Sequence, residues 1–204
     1  MYYNVSGIIL SGGKNIRMGI NKSLLKINGE SVIELIAKKV QNLFQDVLLI
    51  SNEPELYSFL NVRLFRDVYP SKGPMSGIHS GLVNSTTDKN FFISCDLPLI
   101  KKEFIEYMIN YKSDKLIVLP SANNYIQTLS GVYHKKCIPY LESRLRVNTE
   151  DGLSRKQRRY SLIEFFMEVG AEIVDVTSLP FYEKNIFLNL TKIEDYETVK
   201  QSLK

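Results

Sequence analysis

The chain has 204 residues, 44% hydrophobic and 24% charged, with a formal net charge of +4; this suits one well-packed domain and excludes global disorder. The small positive excess favours anionic small ligands over a nucleic-acid lattice. Two cysteines, Cys95 and Cys137, are too few for a disulfide framework or a zinc cage, and they point to a reducing cytoplasm.

Met1-Tyr2-Tyr3-Asn4 has no basic leader character, and no run of about 18 apolar residues follows, so neither a secretory signal nor a membrane span is expected. Residues 5–10 read as a buried strand closed by Ser11-Gly12-Gly13. Ser31 caps a helix in which Val32, Leu35, Ile36, Val40 and Leu43 recur at helical spacing. Residues 47–50 form a second strand, Pro54 opens a short helix to Leu60, and residues 62–65 form a third strand. A helix over 75–83, a strand over 91–94, a helix over 102–111 and a strand over 116–119 complete the first half. Beyond it the pattern is looser. Residues 125–133 read as a strand or hairpin arm, 135–145 as helical with Pro139 limiting it to a short piece or a first turn, and 144–159 as a basic loop or helix start. A helix over 162–169, a strand over 173–176 and a closing helix over 193–203 follow. Fully apolar runs alternating with helices predict an α/β fold with a mostly parallel sheet, whose ligands sit beyond the carboxyl ends of the strands. No linker separates the halves, so residues 1–204 read as one domain, with a regular half over 1–120 and a looser lobe over 121–204.

Three loops at those strand ends carry the chemistry. In the first, Gly12 and Gly13 let backbone N–H groups converge on phosphate oxygens, while Arg17 and Lys22 add a planar fork and a compact cation. It is neither a Walker loop nor a GxGxxG turn. The second contains Asp67 and then Gly73-Pro74-Met75-Ser76-Gly77, where two glycines permit close ligand approach and Pro74 starts a helix. The third is Ser94-Cys95-Asp96-Leu97-Pro98; one carboxylate beside a phosphate loop suits Mg²⁺, which takes few protein ligands. Asn52 can read a base or ribose edge, Cys95 reads as packing, and His79 and His134 as packing or surface residues.

Together these segments resemble the nucleotidyltransferase family that includes molybdenum cofactor guanylyltransferase (MobA). The resemblance rests on Leu10-Ser11-Gly12-Gly13 with Arg17-Met18-Gly19 and Lys22, on Gly73-Pro74-Met75-Ser76-Gly77, and on Cys95-Asp96-Leu97-Pro98. A closing segment keeps Asn189 and Glu194-Asp195 of the family pattern and departs from it at Leu190-Thr191-Lys192. The resemblance implies a Rossmann-like α/β/α sandwich of nucleotidyltransferase type that moves GMP from GTP to molybdopterin-bound molybdenum and releases pyrophosphate. It further implies that Leu10, Ser11, Gly12, Gly13, Lys22, Asn52, Asp67, Gly73 and Asp96 contact the nucleotide. Asp96 would hold Mg²⁺, and Arg17, Lys22 and Asp96 would serve catalysis. Arg155, Lys156 and Arg158, in the run Arg155-Lys156-Gln157-Arg158-Arg159, and Asn189 are expected to meet the anionic acceptor. The expected partners are GTP, the molybdopterin-type cofactor, and molybdoenzymes or other cofactor-biosynthesis proteins, without nucleic acid or membrane. The same loops would serve a cytidylyltransferase for this cofactor, a sugar-phosphate nucleotidyltransferase or a non-catalytic nucleotide binder.

Overall fold

Every residue from Val5 to Ser11 is buried, which requires a strand covered on both faces. This strand, β1 (Val5–Ser11), lies at the centre of the computed structural model, which describes residues 1–12, 16–17, 20–70, 72–147 and 155–203, with backbone alone at 16, 17, 20, 147, 155–161 and 193. Two small ribbons follow, β2 (Ile16–Arg17) with β3 (Ile20–Asn21), then β4 (Lys26–Ile27) with β5 (Glu30–Ser31). Next come α1 (Val32–Gln41), β6 (Val47–Ser51), β7 (Arg63–Phe65), α2 (Pro74–Asn84), β8 (Lys89–Ser94) and α3 (Lys102–Asn110). The chain continues through β9 (Ile117–Ala122), β10 (Tyr125–Ile126), β11 (Val132–His134), α4 (Ile138–Val147), α5 (Arg155–Val169), β12 (Ala171–Asp175) and α6 (Ile193–Ser202).

One sheet runs β10-β9-β11-β8-β1-β6-β7, with β12 alongside β9. Strands β8, β1, β6 and β7 are parallel, and β12 is parallel to β9. The departure from a wholly parallel sheet is local: β11 lies antiparallel between β8 and β9, and β10 returns antiparallel on β9. Alternate side chains of β1 serve opposite faces. Ile9 packs with Val32, Ile36 and Val40 of α1 and Phe104 and Met108 of α3. Ile8 packs with Ile78 and Leu82 of α2, Leu141 of α4 and Phe165 of α5. The result is a helix–sheet–helix sandwich.

Local chemistry sets the element boundaries. Ser31 and Glu34 form a reciprocal capping box at the start of α1: Ser31 Oγ accepts from the Glu34 N–H, and Glu34 Oε2 accepts from the Ser31 N–H at 2.7 Å. Gly73 precedes α2 at φ 77°, ψ −159°, a conformation closed to side-chain-bearing residues, and Pro74 then fills the first helical position.

Several sequence expectations are corrected. Of the two readings for Pro139 the first turn holds and the short piece does not: it occupies the first turn of α4, where a missing N–H costs nothing. Residues 125–133 make two strands rather than one arm, because the chain leaves β9 after Ile126 and rejoins the sheet between β9 and β8. The helix expected over 162–169 starts at Arg155, and the strand expected over 173–176 is Ala171–Asp175. The ribbon β4–β5 was legible but overlooked: its turn is Asn28-Gly29, with φ 52° and 93°, the preferred pair for a two-residue hairpin.

The α2–sheet contact is close. A Cβ on Gly81 would lie 2.6 Å from Phe92 Cε1 and 2.9 Å from Ile8 Cγ2. Gly81→Ala is therefore expected to lower the unfolding free energy by about 1 kcal/mol or more, because overpacking outweighs the roughly 1 kcal/mol helix-propensity gain. The shift of the urea midpoint checks it; a rise in stability would show that the contact relaxes freely.

Candidate functional site

Strand register gathers the site. Leu10 of β1 is level with Ile50 of β6 and Ser94 of β8, and Ile50 is level with Phe65 of β7. Four parallel strands therefore end in one row, and the residues just beyond them share one edge of the sheet. From β1 the chain steps to β6 and β7 on one side, then returns to β8 on the other. The strand order reverses between β1 and β8, and the crevice at such a reversal is the binding position of open α/β sheets. Gly12, exposed, stands on its β1 side. A Cβ there would meet nothing within 4 Å among the described residues. Asp96, half-buried, stands on its β8 side.

The Asp96 turn is braced from three directions. Ser94 Oγ donates to Asp96 Oδ1 at 2.6 Å, the Cys95 N–H donates to the Leu10 carbonyl at 3.0 Å, and the Leu190 N–H donates to the Asp96 carbonyl at 3.2 Å. Just beyond, Lys39 Nζ of α1 donates to the carbonyls of Pro98 and Ile100. Burial pulls the Lys39 ammonium below its ordinary value. Cys95 is buried beneath this turn, as expected of a packing residue. Among the described residues no cluster of three or more His, Cys, Asp or Glu could cage a metal. A single braced carboxylate beside the crevice fits a cation that keeps waters and takes substrate oxygens, which is the habit of Mg²⁺.

Lys22 lies across the crevice. Its Nζ donates to the Leu190 carbonyl at 2.8 Å and the Thr191 carbonyl at 3.0 Å. The closing segment thus runs between Lys22 and the Asp96 backbone and brings Asn189, half-buried, to the same end. Asp195 supports that segment by accepting from the N–H groups of Thr191 and Lys192.

Asp67, beyond β7, is held differently. Its Oδ1 is buried and has no hydrogen-bond partner among the described residues. Burial raises the carboxyl above the ordinary carboxylate range, and a hydrogen bond from the Asn52 side chain partly offsets this. Arg66 fixes Asn52 from behind by donating to its carbonyl at 2.7 Å. Gly77 approaches closely: a Cβ there would lie 3.3 Å from Leu10 Cδ2 and 3.9 Å from Asp67 Oδ1. Ser76 Oγ donates to the Tyr69 carbonyl and the Val68 N–H donates to Ser80 Oγ, which fastens the loop to α2.

The structure thus brings Leu10, Ser11, Gly12, Lys22, Asn52, Asp67, Gly73 and Asp96 to the strand ends, with Asn189 beside them. Gly13 and the side chains of Arg17, Arg155, Lys156 and Arg158 lie outside the described residues. Sequence reasoning missed the polar braces Ser94, Ser23 and Asn21, and above all Tyr57, which reads as an ordinary aromatic. His79 is a packing residue, as expected: 2% exposed, edge-on to Tyr69 and 3.5 Å from Glu142 Oε1. His134 accepts from the Lys136 N–H. Burial pushes the Cys137 thiol up to about 12, away from nucleophilic use.

A helix–sheet–helix sandwich with a glycine loop and a carboxylate facing each other across the strand-order reversal defines a nucleotide-binding α/β protein. Residues 7–162 match the family model described as MobA-like NTP transferase domain, and the chain belongs to that family. It is 35% identical over 193 residues to a Clostridium perfringens (strain SM101) protein named "Probable molybdenum cofactor guanylyltransferase", covering 94% of each chain. A protein of the same name from Carboxydothermus hydrogenoformans is 30% identical over 196 residues, 95% of this chain and 94% of the relative. In fold, the chain is similar to the crystal structure of molybdopterin-guanine dinucleotide biosynthesis protein A from Archaeoglobus fulgidus, with TM-score 0.79, 18% identity and coverage of 97% and 98%. No helix among the described residues is long and apolar enough to cross a membrane.

The raised Asp67 carboxyl gives a pH prediction. The folded state holds this proton more tightly than the unfolded chain, so the residue becomes progressively less favourable to folding as pH rises through its folded value. Asp67→Asn is expected to raise the melting temperature at pH 7, with a gain that fades as pH falls towards the ordinary value of 3.8. Thermal denaturation across pH 3–8 checks this; a pH-independent difference would show that Asp67 is not desolvated.

Proposed function

We propose that this chain transfers GMP from GTP to molybdopterin-bound molybdenum cofactor in the cytoplasm, giving the guanine dinucleotide form and pyrophosphate. The observation that carries this reading is the register of β8, β1, β6 and β7, which sets the Gly12 turn and Asp96 on opposite sides of one crevice in a MobA-like domain.

The acceptor's terminal phosphate attacks the α-phosphorus of GTP; a new P–O bond forms as the bond to the β-phosphate breaks. A phosphate nucleophile is already ionised at neutral pH, so no general base is required. The chain's task is to bring two polyanions together and hold them in line. Backbone N–H groups of the glycine turn take phosphate oxygens, while Lys22 and Arg17 offset charge that grows on the leaving pyrophosphate. Asp67 Oδ1, buried with no hydrogen-bond partner among the described residues, is an acceptor for a donor on the base or ribose, and Asn52 stands beside it. Asp96 would hold Mg²⁺, which, when bound, supplies neutralisation of the triphosphate. Asn189 and the basic start of α5, Arg155, Lys156 and Arg158, meet the acceptor.

GTP with magnesium is expected to raise the melting temperature more than CTP or UTP, since a ligand that binds only the folded state stabilises it. A larger shift with CTP would replace the guanylyl assignment with a cytidylyl one. Asp96→Ala is expected to retain the fold and lose magnesium-dependent pyrophosphate release with cofactor supplied; full activity would overturn its role. Replacing Arg155 and Arg158 by Ala should raise the KM for the acceptor and flatten its salt dependence without changing GTP affinity.

A further inference from the structure

Tyr57 is 2% exposed and ends the single-turn helix Pro54–Tyr57 that follows Asn52. Its hydroxyl is the centre of a polar cluster in otherwise apolar surroundings. Ser11 Oγ donates to it at 2.8 Å, Asn21 Nδ2 donates to it at 3.1 Å, and Ser23 Oγ lies 3.0 Å away. Ser23 Oγ in turn donates to Asn21 Oδ1 at 2.7 Å. The proton count then has one solution. Ser23 has spent its only proton on Asn21, so Tyr57 donates to Ser23 and accepts from Ser11 and Asn21, filling both its lone pairs. Asn21 Oδ1 also accepts from the Ser23 N–H at 3.1 Å, which starts the turn Lys22–Leu24.

The partners of this one hydroxyl are the last residue of β1 and two residues that flank Lys22. Ser11 and Asn21 are the two ends of the glycine loop over residues 12–20. Ser11 and Ser23, 5% and 1% exposed, lie in the same buried cluster. These bonds tie the last residue of β1 to the residues beside Lys22, so those two segments are held together before any ligand binds. The same bonds orient the backbone that carries Lys22, whose ammonium reaches the closing segment at Leu190 and Thr191.

We infer that Tyr57 is a positioning residue for nucleotide binding: its hydroxyl clamps both ends of the phosphate loop and sets the direction of Lys22, without itself touching the nucleotide. This rests on the reading that the loop holds the triphosphate. Tyr57→Phe keeps the packed ring and removes only the hydroxyl, leaving the donors of Ser11 and Asn21 unpaired. It is expected to weaken binding of GTP with magnesium, measured by calorimetry, about tenfold, the order of one buried hydrogen bond. The KM for GTP should rise in step, with kcat changed less than about twofold.

Tyr133→Phe is the structural control. That side chain is as buried, its hydroxyl donates to the Thr128 carbonyl, and it packs against Phe92 and Phe166 away from the strand ends. It should lower the melting temperature and leave GTP affinity unchanged. Ser11→Ala provides a milder break, and in the Ser11→Ala, Tyr57→Phe double variant the loss should be less than the product of the two single losses, because both act on one bond. If Tyr57→Phe does not fold, Ser23→Ala, which removes the acceptor of the Tyr57 hydroxyl at a residue outside the expected nucleotide contacts, carries the comparison, with a roughly threefold or greater weakening of GTP binding expected. Unchanged GTP affinity in the folded variants, while the wild type binds GTP, overturns the inference and leaves the functional reading intact. A wild type that binds none of GTP, CTP and UTP overturns both.

Discussion

The parallel register of β8, β1, β6 and β7 is the constraint on which the site depends. Parallel neighbours begin at one edge and end at the other, so each connection must cross the sheet before the next strand starts. All four carboxyl ends therefore face the same way, and residues far apart in sequence, Ser11, Ser51, Phe65 and Ser94, finish at one edge. The crossovers bury both faces, which is why β1, β6 and most of β8 tolerate few exposed side chains. Loops at that edge are released from packing and can carry charge, glycine and carboxylate without cost to the core.

The site is built from groups held slightly short of satisfaction. Asp67 keeps one buried oxygen without a partner among the described residues and accepts a desolvation cost for it. Asp96 has one oxygen committed to Ser94, which leaves the other for a ligand. Lys22 is tethered to two backbone carbonyls, neutral acceptors that a phosphate can outbid electrostatically. In the proposed function each of these groups would gain a partner in the nucleotide or its cation. The braces around them are held in turn: Ser94 by Asp96, Lys39 by two backbone carbonyls, Arg66 by Asn52 and Glu55, and the Tyr57 hydroxyl by Ser11, Asn21 and Ser23.

The closing segment joins the two halves of the chain at this point. Residues near the C-terminus run between Lys22 and the Asp96 backbone, and Asp195 folds back to hold Thr191 and Lys192 in place. Leu190, buried, anchors the crossing in the core beside α3. The contacts made there mix backbone and side chain: Lys22 and the Asp96 carbonyl meet backbone groups of Leu190 and Thr191, while Thr191 Oγ1 donates to Asp195 Oδ2 at 2.7 Å and the Leu190 side chain packs in the core.

Much of this was legible in the linear sequence because it is local. Buried strands announce themselves as uninterrupted apolar runs, the capping box as Ser31 with Glu34, and the loops as glycines, cations and Asp96 directly after those runs. What escaped was non-local or chemically quiet. Pro139 left two readings, a short helix or a first turn, because its place in the helix depends on where the turn Lys135–Cys137 delivers the chain. The insertion of β11 between β8 and β9 depends on which edges remain open once the parallel strands have paired. Tyr57 differs from eleven other tyrosines only by what surrounds its hydroxyl. The sequence by itself therefore determined the element types, the strand-end loops and the chemistry they carry, since these follow from side chains and their near neighbours. Tertiary structure alone decided which loops meet, which oxygen of Asp67 is buried without a partner among the described residues and which hydroxyl joins Ser11 to Asn21 and Ser23. Those are properties of burial and register, and both exist only after distant segments have packed together.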